Sequence, residues 1–176
     1  TGTDGGPPLT LIGSPMDASG FATLAGHFPD RTVVTYDPRG TARSAKADPA
    51  SESTPEQHAD DIHRVIAAVG GPVDLFASSG GAVNALALVA AYPEDVRTLV
   101  AHEPPASALV PDHEAALAAC TDIRDTYLRA GFGPAMAKFI ALVQMPGPVP
   151  ADFAESVNPD PAQFGLPAQD DGRRDD

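Results

Sequence analysis

The chain has a single cysteine, Cys120, so no disulfide can close within it, and it suits a reducing compartment. Cytoplasm is the expected location. Bases are scarce: 11 lysines and arginines face 24 aspartates and glutamates, a formal net charge of −13. Nucleic-acid affinity comes from clustered cations at phosphates, and no such cluster occurs here. Nucleic acid and acidic membrane surfaces are therefore not expected partners. Long apolar runs are missing as well, since nothing approaches the ~18 residues that a membrane span needs. Thr1 to Pro8 holds no basic stretch followed by an apolar one, so no signal peptide is read there. A Gly-x-Gly-x-x-Gly turn is also absent: the nearest glycine pair lies in Ser78-Ser79-Gly80-Gly81-Ala82-Val83, which argues against dinucleotide binding. No internal repeat, cofactor motif or metal-ligand pattern is visible.

What is present fits one globular domain with a real core: 176 residues, 43% apolar and only 20% charged. Leu9-Thr10-Leu11-Ile12 predicts a strand, and a helix follows from about Ala18 to Phe28. Thr32 to Tyr36 is β-branched and predicts a second strand. After a polar loop from Thr41 to Ser53, Thr54-Pro55-Glu56-Gln57 carries a capping box, with proline at the first helical position. Ile62, Val65, Ile66 and Val69 then recur on one helical face, and Gly70-Gly71 ends the helix. Strands are predicted again at Pro72 to Ala77 and at Val96 to Ala101. The helix between them, Gly81 to Tyr92, is apolar nearly all round, as a helix buried on most sides would be. Strands alternating with helices imply parallel pairing, hence an α/β fold with three α/β/α layers.

Beyond Pro104-Pro105 the pattern changes to helices alone. One is predicted from Pro111 to Ala130, and another from Pro134 to Val143 with Met136, Phe139, Ile140 and Val143 on one face. Residues 1–105 are thus read as the core and 106–145 as a helical lid. Residues 146–176 hold six prolines, three glycines and seven acids, and are read as a flexible acidic tail or interchain linker.

The chemistry concentrates at Phe76-Ala77-Ser78-Ser79-Gly80-Gly81-Ala82, where a strand gives way to a helix. A serine on a cramped strand-to-helix turn needs very small residues two before and two after it. Ala77 and Gly81 meet that demand around Ser79. Ser78 would instead require Phe76 to be tiny, so sterics select Ser79.

In order and spacing these features resemble the α/β-hydrolase fold, from about Leu9 to Pro105. The resemblance rests on Leu11-Ile12-Gly13-Ser14-Pro15 after the first strand, on Asp37-Pro38-Arg39-Gly40-Thr41-Ala42-Arg43-Ser44 after the second, and on Ala77-Ser78-Ser79-Gly80-Gly81. It implies Ser79 as nucleophile and the backbone N–H groups of Ser14 and Gly80 as oxyanion hole, with Glu103 as candidate acid of the triad. Ile12 stands where the family often has histidine, and Ala77 replaces the first elbow glycine. Ala42 stands where glycine is usual, although alanine resists positive φ.

The family's catalytic histidine lies near the C-terminal end of a longer chain, past further strands. His27, His58, His63 and His113 are poorly placed for the role; His58 and His63 are expected to face solvent or flank the sheet. His102 sits at a strand's carboxyl end beside Glu103. The resemblance therefore implies a second polypeptide or C-terminal segment that completes the sheet and supplies the base. Two functions compete: a serine hydrolase cleaving an ester-like acyl substrate, small and hydrophobic, and a non-catalytic ligand-binding protein on the same scaffold. No cofactor is expected in either.

Overall fold

The computed structural model describes residues 6–49 and 51–168. Strands β1 (Leu9–Ser14), β2 (Val33–Thr35), β3 (Val73–Ser79) and β4 (Val96–His102) form one parallel sheet in the order β2-β1-β3-β4. Alternation of strand and helix made parallel pairing the only economical reading, and that reading holds. From β1 the chain crosses to β2 on one side through a 3-10 turn (Ala18–Phe21) and α1 (Ala22–Ala25). From β2 it crosses back over β1 to β3 through α2 (Pro55–Val69), and α3 (Gly80–Ala91) then leads on to β4. Because the first crossover runs opposite to the others, constant handedness puts α1 on one face and α2 with α3 on the other.

Two apolar clusters record those faces. Ile12, Ile62, Ile66, Val73, Leu75, Ala77 and Leu88 fill the α2/α3 side, while Leu9, Leu11 and Phe21 fill the α1 side. Burying each large aliphatic side chain stabilises the fold by about 1.5–3 kcal/mol.

The start of α2 follows the sequence closely. Gln57 N–H donates to Thr54 Oγ1 at 3.3 Å and Thr54 N–H donates to Gln57 Oε1 at 3.1 Å, closing the capping box. Gly70, at φ 92°, ends the helix in a left-handed conformation. The reading of α3 as buried on most sides needs correction. Gly81, Ala82, Asn84, Ala85 and Leu88 are buried, but Leu86 is 48% exposed. An outer-layer helix meets the sheet on one side and α2 on another, so its remaining stripe stays open.

At the amino end of the sheet, Asp74 on β3 gathers two cations. Arg31 reaches its carboxylate at 2.7 Å, and Arg97 on β4 donates through Nε at 2.8 Å. On β4 itself Val100 is 52% exposed, and among the described residues β3 is the strand it pairs with.

The chain divides into two compact units, Thr1–Pro105 and Ala106–Asp176. In the second, α4 (His113–Ala130) and α5 (Phe132–Val143) pack together, followed by α6 (Phe153–Ser156) and a 3-10 turn at Pro161–Phe164. The face of α5 that is buried carries Gly133, Ala135, Ala137 and Lys138, whose ammonium donates to Asp122 at 2.6 Å. Phe139 and Val143, on the apolar face, are exposed, Val143 by 61%.

The segment 146–168, expected to lack order, is held at several points. Phe153 is buried, Val149 N–H donates to Asp112 at 2.6 Å, and Lys138 Nζ donates to the Ala154 carbonyl at 3.4 Å. Gly133 has no room for a Cβ, because Pro167 O would lie 1.8 Å from it. Composition averages over the segment and misses such anchors; a few of them fix a proline-stiffened chain. Residues 169–176 of that expected tail lie outside the described residues.

Candidate active site

β3 ends at Ser79 and α3 begins at the next residue, so the turn between them is as tight as a strand-to-helix junction can be. Ser79 has φ 56° and ψ −128°, a backbone state that costs a non-glycine residue about 1–3 kcal/mol and persists only where the surroundings enforce it. The enforcement comes from β1. A Cβ on Gly81 would lie 2.8 Å from Gly13 Cα, and one on Gly80 would lie 2.9 Å from the Ser14 carbonyl oxygen. Both glycines are thus demanded by close backbone approach. With Ala77 fully buried before the turn, Ser79 is left as an exposed hydroxyl at its tip.

Ser14 closes β1 and is the register partner of Ser79 on β3. These are the two strands whose crossovers leave in opposite directions. In open parallel sheets the crevice beyond their carboxyl ends is where ligands bind. Gly80, in the first turn of α3, has a backbone N–H with no partner inside the helix, and the positive end of the helix dipole lies there. Together the turn brings a strained serine, a helix-start amide and the end of β1 to one edge of the sheet.

The loop after β2 borders the same edge. Asp37 is 8% exposed and accepts from Ala18 N–H at 3.2 Å and from Arg43 Nε at 2.8 Å. The Arg43 hydrogen bond, then the Ala18 amide, hold its carboxyl below the usual carboxylate range. Arg39 forks onto Asp61 of α2 through Nε at 2.6 Å and Nη2 at 2.7 Å. Ala42 keeps the left-handed backbone that its place in the motif calls for, at φ 40°. Alanine here adopts the conformation despite its Cβ.

The titratable candidates separate. Glu103 directly follows β4, is exposed and has φ 48°. His102 Nδ1 lies 3.1 Å from Ser78 Oγ, and its ring stacks on Phe76 at 5.8 Å. That contact was missed in the sequence because it needs the register Ser78 to His102. His63 pairs with Asp95 at 2.6 Å and stacks on Tyr92, so it flanks the fold as expected. His58 departs from expectation: it is 9% exposed, and burial followed by the Arg39 charge pushes its pKa down. Ser79 has no histidine among its hydrogen-bond partners within the described residues.

A cavity of about 690 Å³ opens between the loop after β2 and α2, lined by Arg39, Lys46, Gln57 and Asp61 among others. Ser79 is not among its lining residues, and Arg39 and Asp61 pair within it. The strained backbone of Ser79 lies instead at the carboxyl edge of the sheet.

Comparison with known proteins bears on the fold. Residues 11–173 match the family model described as alpha/beta hydrolase fold. Over 102 residues the chain is 41% identical to the uncharacterized hydrolase YraK of Bacillus subtilis (strain 168), covering 56% of this chain and 38% of that protein. An alpha/beta hydrolase structure from Sphaerobacter thermophilus DSM 20745 superposes with a TM-score of 0.60 at 26% identity, covering 90% of this chain and 57% of that one. A thermophilic esterase from Thermogutta terrifontis has the same fold, with a TM-score of 0.56 at 24% identity over 80% of this chain and 50% of that one. The chain therefore spans between about two fifths and three fifths of the length of these relatives. It belongs to the α/β-hydrolase-fold family.

Proposed function

We propose that this chain carries the nucleophile and oxyanion hole of a serine hydrolase acting on a carboxylic ester or similar acyl substrate. The observation that carries the proposal is the enforced backbone of Ser79, φ 56° and ψ −128°, at the carboxyl edge of the sheet beside the end of β1. Such strain is retained where it holds a side chain out toward a reactant.

In this reading Ser79 Oγ attacks the acyl carbonyl while a general base takes its proton. The carbonyl oxygen, now an anion, accepts from the N–H groups of Ser14 and Gly80. Each such donor is worth about 10²–10³ in rate. Collapse of the tetrahedral intermediate breaks the acyl–oxygen bond, and the alcohol leaves with the proton held by the base. Water then repeats the sequence on the acyl-enzyme and frees Ser79. Glu103, after the neighbouring strand, is the proposed acid that orients the base. The base is a histidine from a further segment or a second polypeptide, since His102 is engaged with Ser78 and His63 with Asp95. The substrate is a small molecule with an apolar acyl or alcohol group.

One observation favours the alternative of a binding protein without turnover: Ser79 has no histidine hydrogen-bonded to it among the described residues. Hydrolysis of p-nitrophenyl acetate and butyrate by the protein as isolated from its source separates the two. Turnover that Ser79→Ala abolishes supports the hydrolase; ester binding with no release of p-nitrophenol supports the binding protein.

A further inference from the structure

The loop from Ser14 to Ala18 carries one of the two amides of the proposed oxyanion hole, and three contacts fix its course. At its start, Ser14 is tied into β1 as the register partner of Ser79. In its middle, the Met16 side chain lies over two glycines, so that a Cβ on Gly13 would meet Met16 Cε at 2.9 Å and one on Gly20 would meet Met16 Sδ at 2.3 Å. At its end, Ala18 N–H donates to Asp37 Oδ1 at 3.2 Å, across from a different strand. Asp17 settles the turn that follows by accepting from Ser19 N–H at 2.8 Å. The Ala18–Asp37 hydrogen bond links this loop to the loop after β2, where the Asp17 charge also acts on Arg43.

We infer that Asp37 is a positioning residue, whose buried carboxylate holds the loop after β1 so that the Ser14 amide stays aimed at the substrate oxygen. The inference rests on the proposed oxyanion role of Ser14. A carboxylate suits the task because it accepts two donors at once. Oδ1 takes the Ala18 amide, and Oδ2 takes Arg43 Nε, which stops the carboxylate from rotating. Arg43 is largely exposed, whereas the Asp37 side chain is buried, so the arginine steadies the acid from the solvent side. Oxyanion donors act only if aimed before the reaction, and a displacement of about 1 Å can cost 10²-fold in rate. Asp37 would thus act on the transition state through the backbone, without touching substrate.

The test compares Asp37→Ala, Asp37→Asn and Arg43→Ala with the unaltered protein in p-nitrophenyl ester hydrolysis, each checked for its thermal midpoint. Asp37→Ala is expected to lower kcat by about 10- to 100-fold with KM within about twofold, because an oxyanion donor binds the transition state and not the ester. Asp37→Asn keeps an acceptor for Ala18 N–H and is expected to recover most of that loss. Arg43→Ala leaves the amide bond in place and is expected to keep kcat within about threefold. An unchanged kcat in Asp37→Ala overturns the inference, as does a loss shared equally by Arg43→Ala. If Asp37→Ala does not fold, Asp37→Asn decides: a kcat near that of the unaltered protein supports the inference, and one reduced about 10-fold or more at an unchanged midpoint overturns it. Ser79→Ala runs beside them; turnover that survives it overturns the reading of the site itself, whatever Asp37 does.

Discussion

Ser78 Oγ and His102 Nδ1 stand 3.1 Å apart across β3 and β4, one residue away from the strained Ser79. His102 is thus engaged with Ser78, and among the described residues it makes no hydrogen bond to Ser79. His102→Ala is therefore expected to lower ester hydrolysis by less than about 10-fold, and Ser79→Ala by more than about 10³-fold. Equal losses in steady-state assays would make His102 the base and contradict this assignment.

Gly81 packs against β1 so closely that an added methyl group would meet Gly13 Cα at 2.8 Å and Ile12 O at 3.0 Å. Both obstacles are backbone and cannot swing away. Gly81→Ala is expected to destabilise the fold by about 1–3 kcal/mol in urea unfolding and to reduce turnover with it. An alanine accepted without loss would mean that the elbow sits further from β1.

Asp74 couples β3 to β4 and to the loop before β2 through Arg97 and Arg31. The Arg97 hydrogen bonds first, then Arg31, hold its pKa at about 2, below its usual 3.8. A carboxyl depressed on folding contributes stability above its unfolded value, and that contribution is lost as pH falls toward the folded value. Asp74→Asn is expected to cost about 1–3 kcal/mol at neutral pH, where the charged hydrogen bonds are intact. The gap between the two proteins should narrow as unfolding is measured from about pH 5 down to about pH 2. A gap independent of pH would exclude the ion pairs as its source.

In the helical unit Lys138 is buried against Asp122. Removing one partner of a buried pair leaves an uncompensated charge, so Lys138→Met is expected to cost about 3 kcal/mol. Lys138→Met with Asp122→Leu removes both charges and should recover most of it. Thermal unfolding of the single and double variants measures the coupling; additive losses would contradict it.

What was legible in the sequence follows from how local the physics is. The elbow was readable because its steric demand falls within two residues of Ser79, and the capping box because Thr54 and Gln57 are three apart. The parallel sheet was readable from alternation alone. The Asp37 to Ala18 bond was not, because it joins two loops 19 residues apart whose meeting depends on strand order. His58 was expected to face solvent or flank the sheet, and the structure buries it. The docking of Phe153 and Pro167 was hidden by composition, since a proline- and acid-rich segment reads as unordered until the surface that receives it is known.

The central claim is that Ser79 is the activated hydroxyl. The direct measurement is to treat the protein, as isolated from its source with whatever chain accompanies it, with a fluorophosphonate and to map the adduct by peptide mass spectrometry. The expected result is one phosphonyl group on Ser79, absent from Ser79→Ala. An adduct on Ser78, or none on a folded protein, would contradict the claim.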